Sequence, residues 1–223
     1  MRRLGLTACL LAAAELQAAH PLITEDTGTQ GKGRWQLEAN AESTRGDEGG
    51  GQVRGFQPAA TLSYGVAENI DLQLTQPWLR EKAAGVVVKG PLDTSVDVKW
   101  RFFEKGALGL ALKPGVTLAT GDEEKGLGAG RSGWGSLLVL SYQPGPYAFH
   151  AHAGYRRNRN TLGERESLAH FSAALTWSVG EVKLVADIAR DTSADPAVTQ
   201  EERYLVLGAI WSLCMLGAFS VVG

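Results

Sequence analysis

The chain has 223 residues, enough for one domain of ordinary size, and its formal charge of −2 excludes a global electrostatic case for nucleic-acid binding. Hydrophobic residues make up 44% and charged residues 21%, which excludes disorder of the whole chain. The 28 glycines suit many strands and turns better than long helices.

The N-terminus reads as a secretory signal over residues 1–19. Arg2 and Arg3 supply the positive region, Leu4 to Ala14 the short apolar stretch, and Ala18 and Ala19 the small residues before a cleavage point. Cleavage after Ala14 is the alternative. The apolar stretch is too short to span a bilayer as a helix. Cys9 sits too early for a lipidation site, because the apolar run continues beyond it. With the signal removed, Cys214 is the one remaining cysteine and has no internal disulfide partner. Residues 20–33 are read as an N-terminal periplasmic segment ahead of a barrel over 34–212, with 213–223 as an atypical tail.

From residue 34 onward the dominant period is two. Trp35, Leu37, Ala39 and Ala41 alternate with Gln36, Glu38, Asn40 and Glu42. The same pattern runs through Ile70 to Thr75, Ser95 to Phe102, Leu108 to Leu118 and Tyr147 to Arg156. Weaker alternation covers 57–66, 134–142, 168–178, 182–190 and 203–212, which makes ten candidate strands. Most have the length that a tilted strand needs to cross a bilayer. Residues 134–142 are apolar on both faces, which alternation alone does not explain.

The connections carry a second signal. Short turns fall at Ala67 to Asn69, Glu104 to Gly106, Pro144 to Pro146 and Val179 to Glu181. Long polar or glycine-rich segments fall near 45–55, 80–91, 119–133, 157–167 and 191–202. Strict alternation of short turns with long loops is the pattern of an outer-membrane barrel. The tryptophans at 35, 78, 100, 134, 177 and 211 all lie near expected strand ends, as do Tyr64, Tyr142, Tyr147, Tyr155 and Tyr204. Amphipathic rings at both rims form the aromatic girdles of such barrels. A soluble sandwich or lipocalin-like barrel is the competing reading, and it would place aromatics in mid-strand.

Charge assigns the faces. Facing lipid, a mid-bilayer Arg or Lys would cost roughly 2–4 kcal/mol, so the polar face is the interior. The expected lumen-lining residues are Glu38, Asp97, Lys99, Arg101, Lys113, His150, His152, Arg156, His170, Lys183 and Asp187.

Particular motifs resemble a known family. His20 to Gly33 (HPLITEDTGTQGKG), followed by Trp35 to Glu38, is similar to the start of the MetA-pathway of phenol degradation family. So are Asp97 to Trp100, Pro114 to Gly121 (PGVTLATG), Gly154-Tyr155 through Asn158 and Asn160, and Gly163 to Glu166. The resemblance covers roughly residues 20–212. It implies an outer-membrane channel or transporter, some members being encoded with aromatic-degradation enzymes. The family name records pathway context, not a catalytic activity, and no site residues carry over. Such proteins continue with further strands and end in a terminal aromatic. Ser212 to Gly223 (SLCMLGAFSVVG) lacks polar alternation, so the resemblance implies truncation from twelve strands or a shifted frame, and an irregular seam around Cys214 and Met215.

Other motifs take plainer readings. Gly128, Gly130 and Gly133 match a dinucleotide-binding pattern, but a strand follows where a helix is required, so the segment reads as a loop. Asp122, Glu123 and Glu124 read as a solvated acidic loop. Strands carrying His150, His152 and His170 should pair so that Gly154 faces His170 and His152 faces Ser172. That would bring His152 diagonal to His170, as ordinary lumen polar residues or as a soft-metal or proton-sensitive site. Ser172 beside His152 lacks an evident third group for nucleophilic catalysis, and no nucleophile elbow appears.

The expectation is therefore an all-β, antiparallel up-and-down transmembrane barrel of about ten strands in the bacterial outer membrane, without cofactor or metal and not an enzyme. It would pass small solutes, hydrophobic or aromatic ones included. A non-conducting binding or structural barrel is the alternative. Expected partners are outer-membrane lipid, the solute, periplasmic chaperones and the barrel-assembly machinery, with no nucleic acid.

Overall fold

A computed structural model describes residues 22–48, 51–211 and 219–222. The expected signal peptide, Cys214 and Met215 lie outside the described residues. The strands in chain order are β1 (Trp35–Glu48), β2 (Gly51–Ala67), β3 (Ile70–Ala83), β4 (Val86–Pro91), β5 (Thr94–Lys105) and β6 (Leu108–Leu118). They continue with β7 (Gly133–Tyr142), β8 (Tyr147–Arg157), β9 (Ser167–Val179), β10 (Val182–Asp191), β11 (Glu202–Trp211) and β12 (Phe219–Val222). Consecutive neighbours pair antiparallel in one up-and-down sheet, with β4 attached to β3 alone. The sheet curls into a half-barrel. Among the described residues β1 pairs with β2 alone and β12 with β11 alone, so no described pairing closes it.

The ten expected strands are β1 to β3 and β5 to β11. Two strands are additional. β4 arises inside the expected loop 80–91, where Ala84 and Gly85 both take positive φ, 48° and 84°. That conformation builds a two-residue hairpin turn whose twist matches its flanking strands, and Val86 to Val88 supplies the β-branched run that pairs back. β12 forms within the expected tail. The expected loop 45–55 is likewise taken up by extensions of β1 and β2. Trp78 consequently lies inside β3, opposite Pro91, and not at a strand end. The three remaining long connections are 119–132, 158–166 and 192–201, the first holding a short 3-10 turn at Glu123–Lys125.

The faces are inverted relative to a water-soluble sheet. Asp71 and Asp187 are 0% exposed, and Ser63, Gln73, Lys99, Ser141, His152 and Ser172 are also buried, all on the concave side. Leu138, Leu140, Leu184, Leu205 and Leu207 point outward and are exposed, Leu205 by 67%. A bulge between Arg101 and Phe103 turns both Phe102 and Phe103 outward. The strand that is apolar on both faces now has an explanation. Val139 faces inward directly opposite Ala111 on the adjacent strand β6, and both are fully buried. The N-terminal segment passes over this part of the sheet, with Thr27 bonded to Ser141 and Glu25 to Lys113.

Residues 22–33, set apart from the barrel in the sequence reading, thus lie within its concave face. The segment enters at the short-turn end, where Gly33 N–H donates to Gly65 O (2.7 Å) and Gly65 N–H to Arg34 O (2.9 Å). Gly65 is needed for this approach: an added Cβ would sit 1.8 Å from the Gly31 carbonyl oxygen. Gly65→Ala should therefore force the segment away at a cost of about 1–3 kcal/mol. Faster proteolytic cleavage within 22–33, with an intact β-sheet signal in circular dichroism, is the expected outcome.

Candidate functional site

The segment climbs from the short-turn end to mid-strand, and at each step a sheet side chain receives it. Thr29 Oγ1 donates to Glu68 O at the β2–β3 turn (2.8 Å). Gln30 N–H donates to the Asp71 carboxylate (3.0 and 3.1 Å), and the Gln30 side chain bonds Gln36. Thr27 N–H donates to Ser141 Oγ (2.9 Å). At mid-strand Thr24 donates from its N–H (2.8 Å) and its hydroxyl (2.7 Å) to Asp187. Asp71 and Asp187 are both carboxylates flanked by apolar neighbours in sequence. Their burial is tolerable because each is paid in hydrogen bonds from the segment.

Glu25 makes the ionic contact. Its Oε1 lies 2.7 Å from Lys113 Nζ and its Oε2 3.0 Å from Lys99 Nζ. Asp26 adds a 3.8 Å contact to Lys99. The lysines come from adjacent strands β5 and β6 and point the same way because both stand at polar positions of the alternation. Burial pushes the Glu25 carboxyl up, but Lys113 and Lys99 outweigh it and hold it at about 2.

The histidine hairpin has the register read from the sequence: Gly154 faces His170, His152 faces Ser172, and His150 faces Ala174. The His152 and His170 ring centroids are 5.8 Å apart. His152 Nε2 donates to the Glu25 carbonyl (3.0 Å), since a carbonyl can only accept. His150 Nδ1 lies 2.8 Å from Ser141 Oγ. Among the described residues no group of three or more His, Cys, Asp and Glu side chains is placed to hold a metal ion.

The structure supplies a third group that the sequence did not disclose. His170 Nδ1 lies 2.6 Å from Asp191 Oδ1 and its Nε2 3.2 Å from Ser172 Oγ. Serine, histidine and aspartate thus stand in line. Ser172 Oγ is also bonded to the Thr24 hydroxyl (2.7 Å) and is buried under the segment. Its flanking backbone belongs to the ladders with β8 and β10, where N–H groups are not free to face an oxyanion. The trio therefore reads as a polar network that positions His170.

Above the segment, toward the long loops, lies a cavity of about 560 Å³. Asp97, Lys113, Arg156 and His170 line it, as do Asp191, Glu202 and Tyr204. The volume falls within the range of small-molecule sites. Room comes from a row of glycines on adjacent strands. Gly115 pairs with Gly135, and an added Cβ at Gly115 would meet Asp97 Oδ1 at 1.9 Å. Tyr204 lies near the loop end of β11, as expected, and takes the inward position opposite Ala189. A second cavity of about 300 Å³ adjoins at the loop end, with Thr117 and Arg156 lining both.

Of the expected interior residues, Lys99, Lys113, His152 and Asp187 hold the segment, and His150 bonds the Ser141 hydroxyl that receives it. Asp97, Lys113, Arg156 and His170 line the cavity. Glu38, Arg101 and Lys183 are half-buried and line neither cavity. Arg101 instead reaches Glu68 O (3.3 Å) and Glu104 (3.4 Å) beside the short turns. Glu25, Thr24, Asp71 and Asp191 were not singled out in the sequence. Their signal was a polar run without alternation, and carboxylates alone among apolar neighbours.

The model of the family described as the MetA pathway of phenol degradation matches residues 18–212. The chain belongs to that family. None of the curated proteins matches the chain. The family match ends at Trp211 and Ser212, so it spans the inserted segment, β1 to β11 and both cavities. Membership and the barrel-like sheet are consistent with a non-enzymatic role.

The ion triplet has a defined acid limit. A carboxyl held below its unfolded value stabilises the folded chain above that value and loses the contribution as pH falls through the folded one. For Glu25 the contribution is complete above about 4.5 and disappears toward 2. Cleavage of residues 22–33 by an acid-active protease should therefore stay slow near pH 5 and rise as pH approaches 2. A Glu25→Gln chain should show no such added rise.

Proposed function

We propose that the chain is an outer-membrane barrel that admits small solutes from its long-loop end, with residues 22–33 as a plug across the short-turn half. The inverted polarity of the sheet carries this reading. Apolar side chains cover the convex face, and polar and charged ones are buried inside. In water such a face would be covered, whereas hydrocarbon is the solvent in which it is stable. Aromatic pairs near the strand ends support the same placement: Trp35 with Tyr64 (4.4 Å between centroids) and Tyr147 with Trp177 (6.1 Å) at one rim, Trp134 with Tyr155 (5.8 Å) at the other.

On this reading residues 1–19 are an export signal, lipid is the partner of the convex face, and periplasmic chaperones and the barrel-assembly machinery deliver the chain. Solute enters the 560 Å³ vestibule and stops at the plug, where Lys113 lines the cavity and is paired with Glu25 of the plug. The plug also favours a second reading, a binding barrel that never conducts.

Planar-bilayer recordings separate the two. The full chain should be closed for most of the time, and a chain lacking residues 22–30 should conduct steadily. Silence from both would leave the binding barrel. Topology has its own check. Cysteines placed at Glu124, Leu162 and Ala194 should label on intact cells, and cysteines at Asn69 and Gly145 should not; equal labelling of both groups would reverse or remove the membrane placement.

A further inference from the structure

We propose that Lys99 and Lys113 form a binding site for the carboxylate of a small solute, and that Glu25 occupies this site in the closed state as an internal stand-in. The proposal rests on the reading of the chain as a solute-admitting barrel. The pair already holds a carboxylate, one oxygen on each ammonium at 2.7 and 3.0 Å. Both lysines belong to the sheet, whereas the carboxylate belongs to a segment that pairs with the sheet backbone only near Gly33 and is otherwise received by sheet side chains and the Glu68 carbonyl. Lys113 also lines the vestibule, so a solute lying there meets the same ammonium that Glu25 uses.

The entry supports an anion. The outer cavity of about 300 Å³ is lined by Arg131, Arg156, Arg157 and Arg159, and by Asp93 and Glu164, whose carboxylates accept from the Gly121 and Ala129 N–H groups and from the Asn158 side chain. Arg157 pairs with Glu166, but Arg131, Arg156 and Arg159 make no ion pair among the described residues. Four guanidiniums against the two carboxylates of Asp93 and Glu164 leave the cavity with an excess of positive charge, and a guanidinium fork suits a carboxylate. Leu127 and Leu162 line the same cavity, which gives a hydrocarbon body somewhere to rest. The fitting class is a monocarboxylate with an apolar body, such as an aromatic acid. Arg156 lines both cavities and would hand it inward.

Inside, the wall is partly acidic, and this directs the anion. Asp191 is engaged by His170 (2.6 Å) and Glu202 by the Tyr204 hydroxyl (2.6 Å), while Asp97 lies across Gly115. At the foot of this wall Lys113 is where a carboxylate gains most. Once there it competes with Glu25, and the segment loses its ionic contacts. Solute binding and plug release are then thermodynamically linked.

The test uses the full-length chain in detergent micelles, with sodium benzoate as probe and benzyl alcohol as its neutral counterpart. Calorimetry should show Glu25→Gln binding benzoate roughly tenfold tighter than the native chain, because the internal competitor is gone. Glu25→Gln combined with Lys113→Gln should lose that gain. In the native chain, benzoate but not benzyl alcohol should accelerate cleavage within residues 22–33, a readout that does not depend on any variant folding. Equal effects of the two probes, or no gain in Glu25→Gln, would overturn the carboxylate site. Since no flux is measured, that failure would leave the conductance result standing.

Discussion

Charged side chains turned to the inside of a curved sheet must find partners, and this constraint organises the molecule. Lys99, Lys113, Asp71 and Asp187 all stand at inward positions of the alternation. Left to water alone they would line a wide wet trough. Residues 22–33 meet them with complementary groups: a carboxylate for the two lysines, and backbone or hydroxyl donors for the two aspartates. The segment therefore needs polar residues without period, and the sheet needs polar residues with a period of two. Neither pattern is explicable without the other.

This pairing also makes the two ends of the sheet different. The described segment fills the short-turn half as far as Thr24 and Glu25, where β6, β9 and β10 are at mid-length. Above that level the concave face is lined by Gly115, Gly135 and Gly154, and the space they leave is the vestibule. The loops at 119–132 and 158–166 then narrow its mouth. Leu127 docks against Gly90 of β4, where an added Cβ would sit 2.6 Å from Leu127 Cδ1, so the extra hairpin serves as a prop for the first of these loops.

Much of this was legible in the sequence. Period two located ten strands, and charge assigned their faces, because each strand is half-buried and its pattern is local. Even the register of the histidine hairpin could be read, since a short loop and two alternating strands leave few options. What escaped was non-local. Nothing in HPLITEDTGTQGKG states that Glu25 would meet lysines 74 and 88 positions away. Asp191 was the first residue of the expected loop 191–202, and only its place in β10, paired with β9, brought it to His170. β4 was hidden by its polar flanks, although the Ala84-Gly85 turn and the valine run that follows were present.

The energetics of the segment fit a removable element better than a permanent core. Its contacts are hydrogen bonds and ion pairs, with little apolar burial beyond the cover it gives Ala111 and Val139. In a wet interior each such contact exchanges for one with water and is worth only about 0.5–3 kcal/mol net. Glu25 and Lys113 keep 27% and 22% of their side-chain surfaces exposed, so solvent or another anion can reach them without the whole segment lifting first. A plug made of leucines would have sealed the same space by the hydrophobic effect and would have resisted displacement by a polar solute. A plug made of Thr24, Glu25, Thr27 and Gln30 is held by the same chemistry that a charged solute brings with it. On the proposed reading, an entering anion would compete with Glu25 for the same lysines.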